Sequence, residues 1–521
     1  VRTYPEFDVV IVGGGHNGLV ASCYLGKAGM SVAVLEQNDS LGGATVSRKV
    51  FPDFDVRLST YSYLVSLLPD QIVEELGLNF STISRSIASF TPDHSQTGEI
   101  GLLISSELDE RTAANFRLIS DESDWKQWQL FYAQLKAMAE VLAPTLLQPL
   151  PTRSGLREAV DGSIWDDVIE YPLGRTLEER FKSDLVRGIV LTDGLIGTFA
   201  DAHSFYANQC FLYHLIGNGS GQWKVPLGGM GKLITELKRV AGSMGVQFFT
   251  STKVLSIAEN SSRYKIETNA ELEFESRYVL ANCAPQVLAQ LLGDESAASL
   301  DGSQVKLNML LTKLPRLKSG IDPELAFAGT FHLDERYSDL QLAFKQSSQG
   351  QIPDRIPAEM YCHTLTDPSI LSPKLQREGF HTLTMFALHT PASLFDTNHD
   401  EVKDVIVAKL LSQLNEYLLD PIEECLATAE DGSWCLEAKS PLELEVEIGL
   451  PRGNIFHKDL SFPFREDHEP VSWGVETSHP GIFICGAGAI RGGGVSGIPG
   501  HNAAAAVLAL ESALKTAVPT S

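Results

Sequence analysis

The feature that most constrains this chain lies at residues 7–18. Phe7 to Val12 (FDVVIV) is a short, β-branched apolar run, the pattern of a strand buried on both faces. It leads straight into Gly13-Gly14-Gly15-His16-Asn17-Gly18, where Gly13, Gly15 and Gly18 fill the G-x-G-x-x-G positions. A helical pattern follows from about Leu19 to Ala28 and stops at Gly29. A second strand, Ser31 to Leu35, then ends on Glu36. Together these parts predict a βαβ dinucleotide-binding unit. Gly13 permits the tight turn, and Gly15 lets the backbone approach a pyrophosphate. Gly18 lets the helix pack closely on the strand, and the free N–H groups at the helix start point at the phosphates. Glu36 would accept hydrogen bonds from a ribose hydroxyl pair, and its charge disfavours a 2′-phosphate.

The rest of the chain must carry more than this unit. Its 521 residues, 43% apolar, suffice for roughly two to four domain-sized units. With 41 basic against 66 acidic residues the net charge is −25, which disfavours nucleic acid and anionic membrane surfaces as partners. A local greasy patch, and with it peripheral membrane contact, stays compatible with that charge. The seven cysteines, at 23, 210, 283, 362, 425, 435 and 485, include no C-x-x-C pair. They read as buried, reduced thiols in a cytosol-like compartment. Val1 to Asp8 shows no basic stretch followed by an apolar one, and no run of about 20 residues is apolar enough to span a bilayer. A cytoplasmic protein, at most membrane-associated, is the expectation.

Directly after Glu36 comes Leu41-Gly42-Gly43-Ala44-Thr45. Here the chain resembles the large family of FAD-dependent oxidoreductases that includes amine oxidases, phytoene desaturases and carotenoid ketolases. In that family a second glycine pair packs against the FAD pyrophosphate. Most members follow it with Arg or Lys, whereas this chain has Ala44, so backbone N–H groups would serve there. The C-terminal end supplies the other half: an apolar strand, Gly481 to Cys485, the run Gly486 to Gly500, and a helix from about His501 to Lys515. A second fingerprint for NAD(P)H is rejected, because Arg491 holds the third glycine position and too little chain follows. The resemblance instead implies a loop along the flavin, with Gly486, Gly488, Gly497 and Ile498 against the cofactor. The backbone N–H groups near Gly497 and Ile498 would face flavin N1 and the C2 carbonyl. It also implies cofactor contacts at Asn17, Gln37 and Val254, the last to adenine through backbone atoms. Tyr278 to Pro285 would return the chain to the FAD domain. Non-covalent FAD is expected, since no familiar Cys or His attachment motif occurs.

Longer strings narrow the branch. VGGGHNGLVAS, LGGATVS, the segment Trp223 to Gly231, Gly453-Asn454-Ile455-Phe456-His457 and GGGVSGIPGHNAA span almost the whole chain. They resemble the branch of phytoene desaturases, carotenoid ketolases and pyridine nucleotide-disulphide oxidoreductase domain-containing protein 2. The disulphide in that name does not transfer, for want of a C-x-x-C. The implied fold is α/β: a Rossmann-like, amine-oxidase-like FAD-binding domain with a mixed α+β substrate domain inserted. The FAD domain would take residues 1–75, 219–290 and 470–521, and the substrate domain 76–218 and 291–469. Helices are expected at Trp125 to Leu142, Lys232 to Ser243, Phe199 to Leu215 and Val402 to Leu419.

The implied activity is removal of hydride from a largely apolar small molecule, by desaturation or oxidation, with a carotenoid or isoprenoid as one such substrate and an unidentified electron acceptor. Relatives commonly carry His-Pro where this chain has Ile490-Arg491, so Arg491 is a candidate to contact a polar or anionic substrate group, against a structural contact to pyrophosphate or backbone carbonyls. His457 is the candidate acid–base group, with His214 behind it. Phe199, Phe205, Tyr206, Phe211, Tyr213 and Trp223 either line an apolar tunnel or pack an ordinary core. No metal-binding spacing or Ser-His-Asp set appears. Two alternatives stay open: an amine or amino-acid oxidase, in which Arg491 binds a carboxylate, and a non-catalytic lipid-binding protein on the same scaffold, as in the GDP-dissociation inhibitors.

Overall fold

A computed structural model describes residues 2–3, 6–96, 98, 100–219, 221–296 and 298–517. Residues 1, 4, 5, 220 and 518–521, which the expected FAD segments include, lie outside it.

Phe7–Val12 forms the middle of a sheet in the order 247–249, 32–35, 7–12, 272–281, 263–268, 254–260. Its pairings with Val32–Leu35 and with Leu272–Ala281 are parallel, as is that of Gln247–Phe249 with Val32–Leu35. Ile482–Ile484, from the far end of the chain, also joins Leu272–Ala281 in parallel. The continuous apolar run is explained by burial on both faces. Val9 and Ile11 belong to the core beneath the helix His16–Lys27, whereas Val10 and Val12 belong to a separate core with Leu288 and Ile482. The last helix, Ile498–Ala517, packs on His16–Lys27, so the two ends of the chain share one core.

A second sheet is ordered 436–439, 306–311, 381–387, 358–361, 330–333, 87–92, 101–105. Its pairings are antiparallel apart from Thr330–Leu333 with Ile87–Pro92. Phe327, Phe331 and Phe90 fill its core, the first two stacked at 4.9 Å. Helices of residues 110–216 share one core with Val9 and Ile11 of the first sheet and Leu102 and Ile104 of the second. The longest, Glu122–Leu142, starts where Asp121 accepts from the N–H groups of Ser123 and Asp124, and gives way to a tight turn containing Pro144.

Two helix expectations need correction. The segment from Phe199 is helical only over Phe205–Ile216, because the Ser204 hydroxyl caps the helix at Tyr206 N–H and Asp201 holds His203 N–H in a turn before it. The helix expected at Val402 to Leu419 runs His399–Asn415, and Leu418 instead bridges to Leu317. All seven cysteines are free thiols, and six are buried; Cys283 is half-buried. Among the described residues, no helix is long and apolar enough to cross a membrane.

Candidate functional site

Gly13 adopts φ +102°, a conformation that strongly favours glycine, and its N–H donates to the Leu35 carbonyl at 2.8 Å. The turn then aims Gly14 N–H at Glu36 Oε2, 2.8 Å away, while Glu36 Oε1 accepts from Asn38 N–H at 2.9 Å. Burial raises the Glu36 pKa, and these backbone donors partly offset it. The helix His16–Lys27 begins at Gly15 without a side-chain cap, which leaves its first N–H groups available to an anion. A Cβ on Gly18 would sit 2.6 Å from the Gly13 carbonyl oxygen, so this position also requires glycine.

The second glycine pair reaches the same place. Gly42 N–H donates to the Gly14 carbonyl at 2.9 Å, and Gly43, at φ +54°, leaves a Cβ-sized space 3.4 Å from the Gly15 Cα. From the C-terminal end, Gly493 and Gly494, at φ +93° and +63°, lie with Val495 along the same space. One cavity of about 1270 Å³ joins all of this. Gly13, Gly15, Asn17, Glu36, Gln37, Gly43, Ala44 and Val254 line it. Gly18, Gly42, Gly486 and Gly488 do not line it: a Cβ would press on the Gly13 and Asn282 carbonyls at Gly18 and Gly486, and on the Val46 and Pro285 side chains at Gly42 and Gly488, while Gly497 and Ile498 face the core near Val20 and Ile72. Ala487 and the stretch 493–495, rather than 497–498, are thus the parts of this loop that meet the cavity.

Arg491 does not line the cavity. Its side chain is 1% exposed and donates to the carbonyls of Thr145, Gln148 and Trp473 at 2.8, 2.6 and 2.8 Å. Burial lowers its pKa to about 10, so it remains a cation at neutral pH while holding three loops together. The expectation of a substrate contact at Arg491 therefore gives way to its structural alternative. His457 does line the cavity, at φ +65°, with Nδ1 buried and unpartnered, and burial lowers its pKa to about 4. His16, which no sequence motif singles out as an acid–base group, stands beside it. His16 Nδ1 pairs with Thr45 Oγ1 at 3.0 Å, its Nε2 is buried without a partner, and burial lowers its pKa to about 4. Both imidazoles are neutral at pH 7.

Beyond the glycine turn the cavity has aromatic and aliphatic walls, including Trp128, Tyr132, Tyr213, Leu215, Trp223 and Phe456. Of the six aromatics singled out in the sequence, only Tyr213 and Trp223 line it. Phe205 and Tyr206 are exposed, Phe211 stacks on Phe131, and Phe199 packs on Phe344. Another part of the lining is ionisable: Arg85, Asp193, His214, Lys306, His332 and Glu359 all reach the cavity. Burial alone would lower the His214 pKa, but Asp193 Oδ1, 3.0 Å from Nε2, outweighs that and raises it. Lys306 Nζ donates to the Ser59 carbonyl at 3.1 Å and to the Tyr61 carbonyl, and lies 4.7 Å above the Tyr63 ring. Its burial pushes the pKa well down. These groups come from separate helices and strands, so no local motif announces them. Their one signal is an ionisable residue inside a short apolar strand, as in Thr330–Leu333 (TFHL) and Ala358–Tyr361 (AEMY).

Comparison with known proteins agrees with this geometry. A family model described as NAD(P)-binding Rossmann-like domain matches residues 11–68. An uncharacterized protein of Mycobacterium tuberculosis (strain H37Rv) is 43% identical over 97% of both chains. Pyridine nucleotide-disulfide oxidoreductase domain-containing protein 2 of Mus musculus is 29% identical, covering 96% of this chain and 93% of its own. A carotenoid 3,4-desaturase of Haloarcula japonica is 23% identical over 50% of this chain and 52% of its own. The chain belongs to one family with the uncharacterized mycobacterial protein. Wild-type putrescine oxidase bound to putrescine has the same fold, at TM-score 0.55 and 18% identity, covering 98% of this chain and all of that one. The fold is thus a Rossmann-like domain within a mixed α/β structure.

The residues present fit a dinucleotide. Glu36 retains lone pairs for a ribose, the helix start is uncapped, and His16 Nε2 and Asn17 Oδ1 are buried polar atoms without partners beside it.

Proposed function

We propose that this chain is an FAD-dependent oxidoreductase that removes hydride from a largely apolar substrate, by desaturation or oxidation, with carotenoids and other isoprenoids as the substrate class. One observation carries the reading: a single cavity runs from the glycine turn and Glu36 to an aromatic, aliphatic wall. Full-length homology to an oxidoreductase-domain protein and partial homology to a carotenoid desaturase support it.

FAD, when bound, supplies the hydride acceptor. In this reading Gly13, Gly15 and the start of the helix His16–Lys27 hold its pyrophosphate, Glu36 its ribose, and Val254 its adenine. The backbone of Gly493, Gly494 and Val495 lies on the other side. Trp223, Tyr213 and Phe456 exclude water from an apolar substrate and orient it. His457 and His16, both neutral, can accept a proton at a free ring nitrogen.

The test is anaerobic mixing of the purified protein with a polyene and, separately, an amine panel. Flavin bleaching by the polyene, and FAD released into the supernatant by acid, are the expected outcomes. A folded, colourless protein would overturn the reading and favour a lipid carrier. A second reading, amine oxidation, is favoured by Asp193 and Glu359, whose carboxylates line the cavity and suit a cationic nitrogen. Hydrogen peroxide release with amines alone would select it.

A further inference from the structure

His332 and Glu359 are direct partners across the antiparallel pair Thr330–Leu333 and Ala358–Tyr361, so their side chains share one face. After His332 the chain turns at Asp334, φ +55°, which brings Glu335 round to the same point. The turn is clamped by the helix Asp184–Thr192, where a Cβ on Gly188 would sit 1.9 Å from the Glu335 carbonyl oxygen. His332 Nε2 ends 3.9 Å from Glu335 Oε2 and 3.8 Å from Glu359 Oε1. Those distances are too long for hydrogen bonds, and all three atoms lie within 4.8 Å of one another.

The outer atoms are held while the inner ones are free. His332 Nδ1 pairs with Thr91 Oγ1 at 2.7 Å, which fixes the ring, and the Tyr361 hydroxyl donates to Glu359 Oε2, leaving Oε1 to point inward. Neither oxygen of Glu335, 1% exposed, completes a hydrogen bond among the described residues, although the Thr192 hydroxyl is near enough to ease its charge. Two buried carboxylates and one imidazole are a costly set to leave facing each other. Burial raises both carboxylates, with Glu359 adding to the rise at Glu335 and Asp193 to that at Glu359, and burial lowers His332 to about 4, so the ring is neutral and able to act as a ligand.

We propose that His332 Nε2, Glu335 and Glu359 bind one divalent transition-metal ion, of the zinc or manganese type, in the wall of the cavity. One imidazole and two carboxylates suit either ion. An ion at the centre of a triangle of this size lies about 2.5 Å or less from each atom. Side-chain shifts of a few tenths of an ångström reach the ~2.0–2.2 Å of zinc to nitrogen or carboxylate oxygen. Thr91 and Tyr361 stand where outer partners of metal ligands stand, each on the far atom of a ligand. His332 and Glu359 also line the cavity, which gives the ion an entry path and room for water on its open side. The site does not depend on the proposed reaction.

The test uses the flavin-loaded protein, stripped with chelator and titrated with Mn²⁺ or with Zn²⁺. Loss of the free Mn²⁺ electron-paramagnetic-resonance signal and elemental analysis after gel filtration read out binding. About one ion per chain is expected, with at least tenfold weaker binding in Glu335→Gln at unchanged flavin content. Thr91→Val frees the His332 ring and should weaken binding by about 10–100-fold. It decides the matter if Glu335→Gln does not fold. Folded protein that takes up neither ion, or variants that bind as tightly as the parent, would overturn the proposal and leave the two glutamates sharing a proton.

Discussion

Gly500 lies so close to Asn17 that a Cβ would sit 2.0 Å from the Asn17 carbonyl oxygen. The contact presses the last helix onto the first and sets where residues 493–495 meet the glycine turn. Gly500→Ala must push the helices apart. Overpacking of this kind costs roughly 1–3 kcal/mol. Thermal melting should fall by several degrees with loss of retained flavin. Gly162→Ala, where a Cβ meets nothing within 4 Å, should melt within about 0.5 kcal/mol of the parent.

Glu36 joins the end of one strand to the turn after another by accepting from Gly14 and Asn38 N–H. Glu36→Ala leaves both donors unpaired, at about 1–3 kcal/mol for the buried Gly14 N–H and less for the half-buried Asn38 N–H. Flavin retention, measured by absorbance after gel filtration, should be lost, whereas Glu36→Gln should keep part of it. Equal retention by the alanine variant and the parent would remove Glu36 from the cofactor site.

The His214–Asp193 pair predicts a pH dependence. Asp193 raises the folded pKa of His214 above its ordinary value. The pair's contribution is thus fully present below pH ~6.5 and lost as pH rises through the raised value. The two side chains are 15% and 22% exposed, so about 1.5 kcal/mol is expected at low pH. Denaturant melts of parent and Asp193→Asn should differ most below pH 6 and converge in alkali. A gap that widens with pH would reverse the assignment.

Arg491, itself buried, donates to three backbone carbonyls, and its removal should act on folding before catalysis. Arg491→Ala should lower soluble yield and melting temperature, by roughly 1–3 kcal/mol for each carbonyl left without a partner. Normal melting with a loss confined to one substrate class would return Arg491 to the substrate side.

The dinucleotide unit was legible because its signals are local. FDVVIV, the three glycines and Glu36 stand in one short stretch, and each is dictated by backbone geometry that needs no distant partner. The helix Glu122–Leu142 was legible for the same reason, through its spacing of apolar residues. Arg491 was open to two readings, because its partners lie hundreds of residues away at Thr145 and Gln148. The ends of the 199–215 and 402–419 helices were misjudged where single capping and bridging contacts override the apolar pattern.

By itself, then, the sequence determined the glycine turn, the acidic strand end and the class of cofactor fold. The tertiary structure alone decided which ionisable groups meet. His332 and Glu359 stand 27 positions apart and become neighbours only through strand register, and Asp193 and Lys306 arrive from other elements. A backbone conformation is encoded by the residues that adopt it, whereas a buried polar cluster is encoded by the packing that excludes water around it.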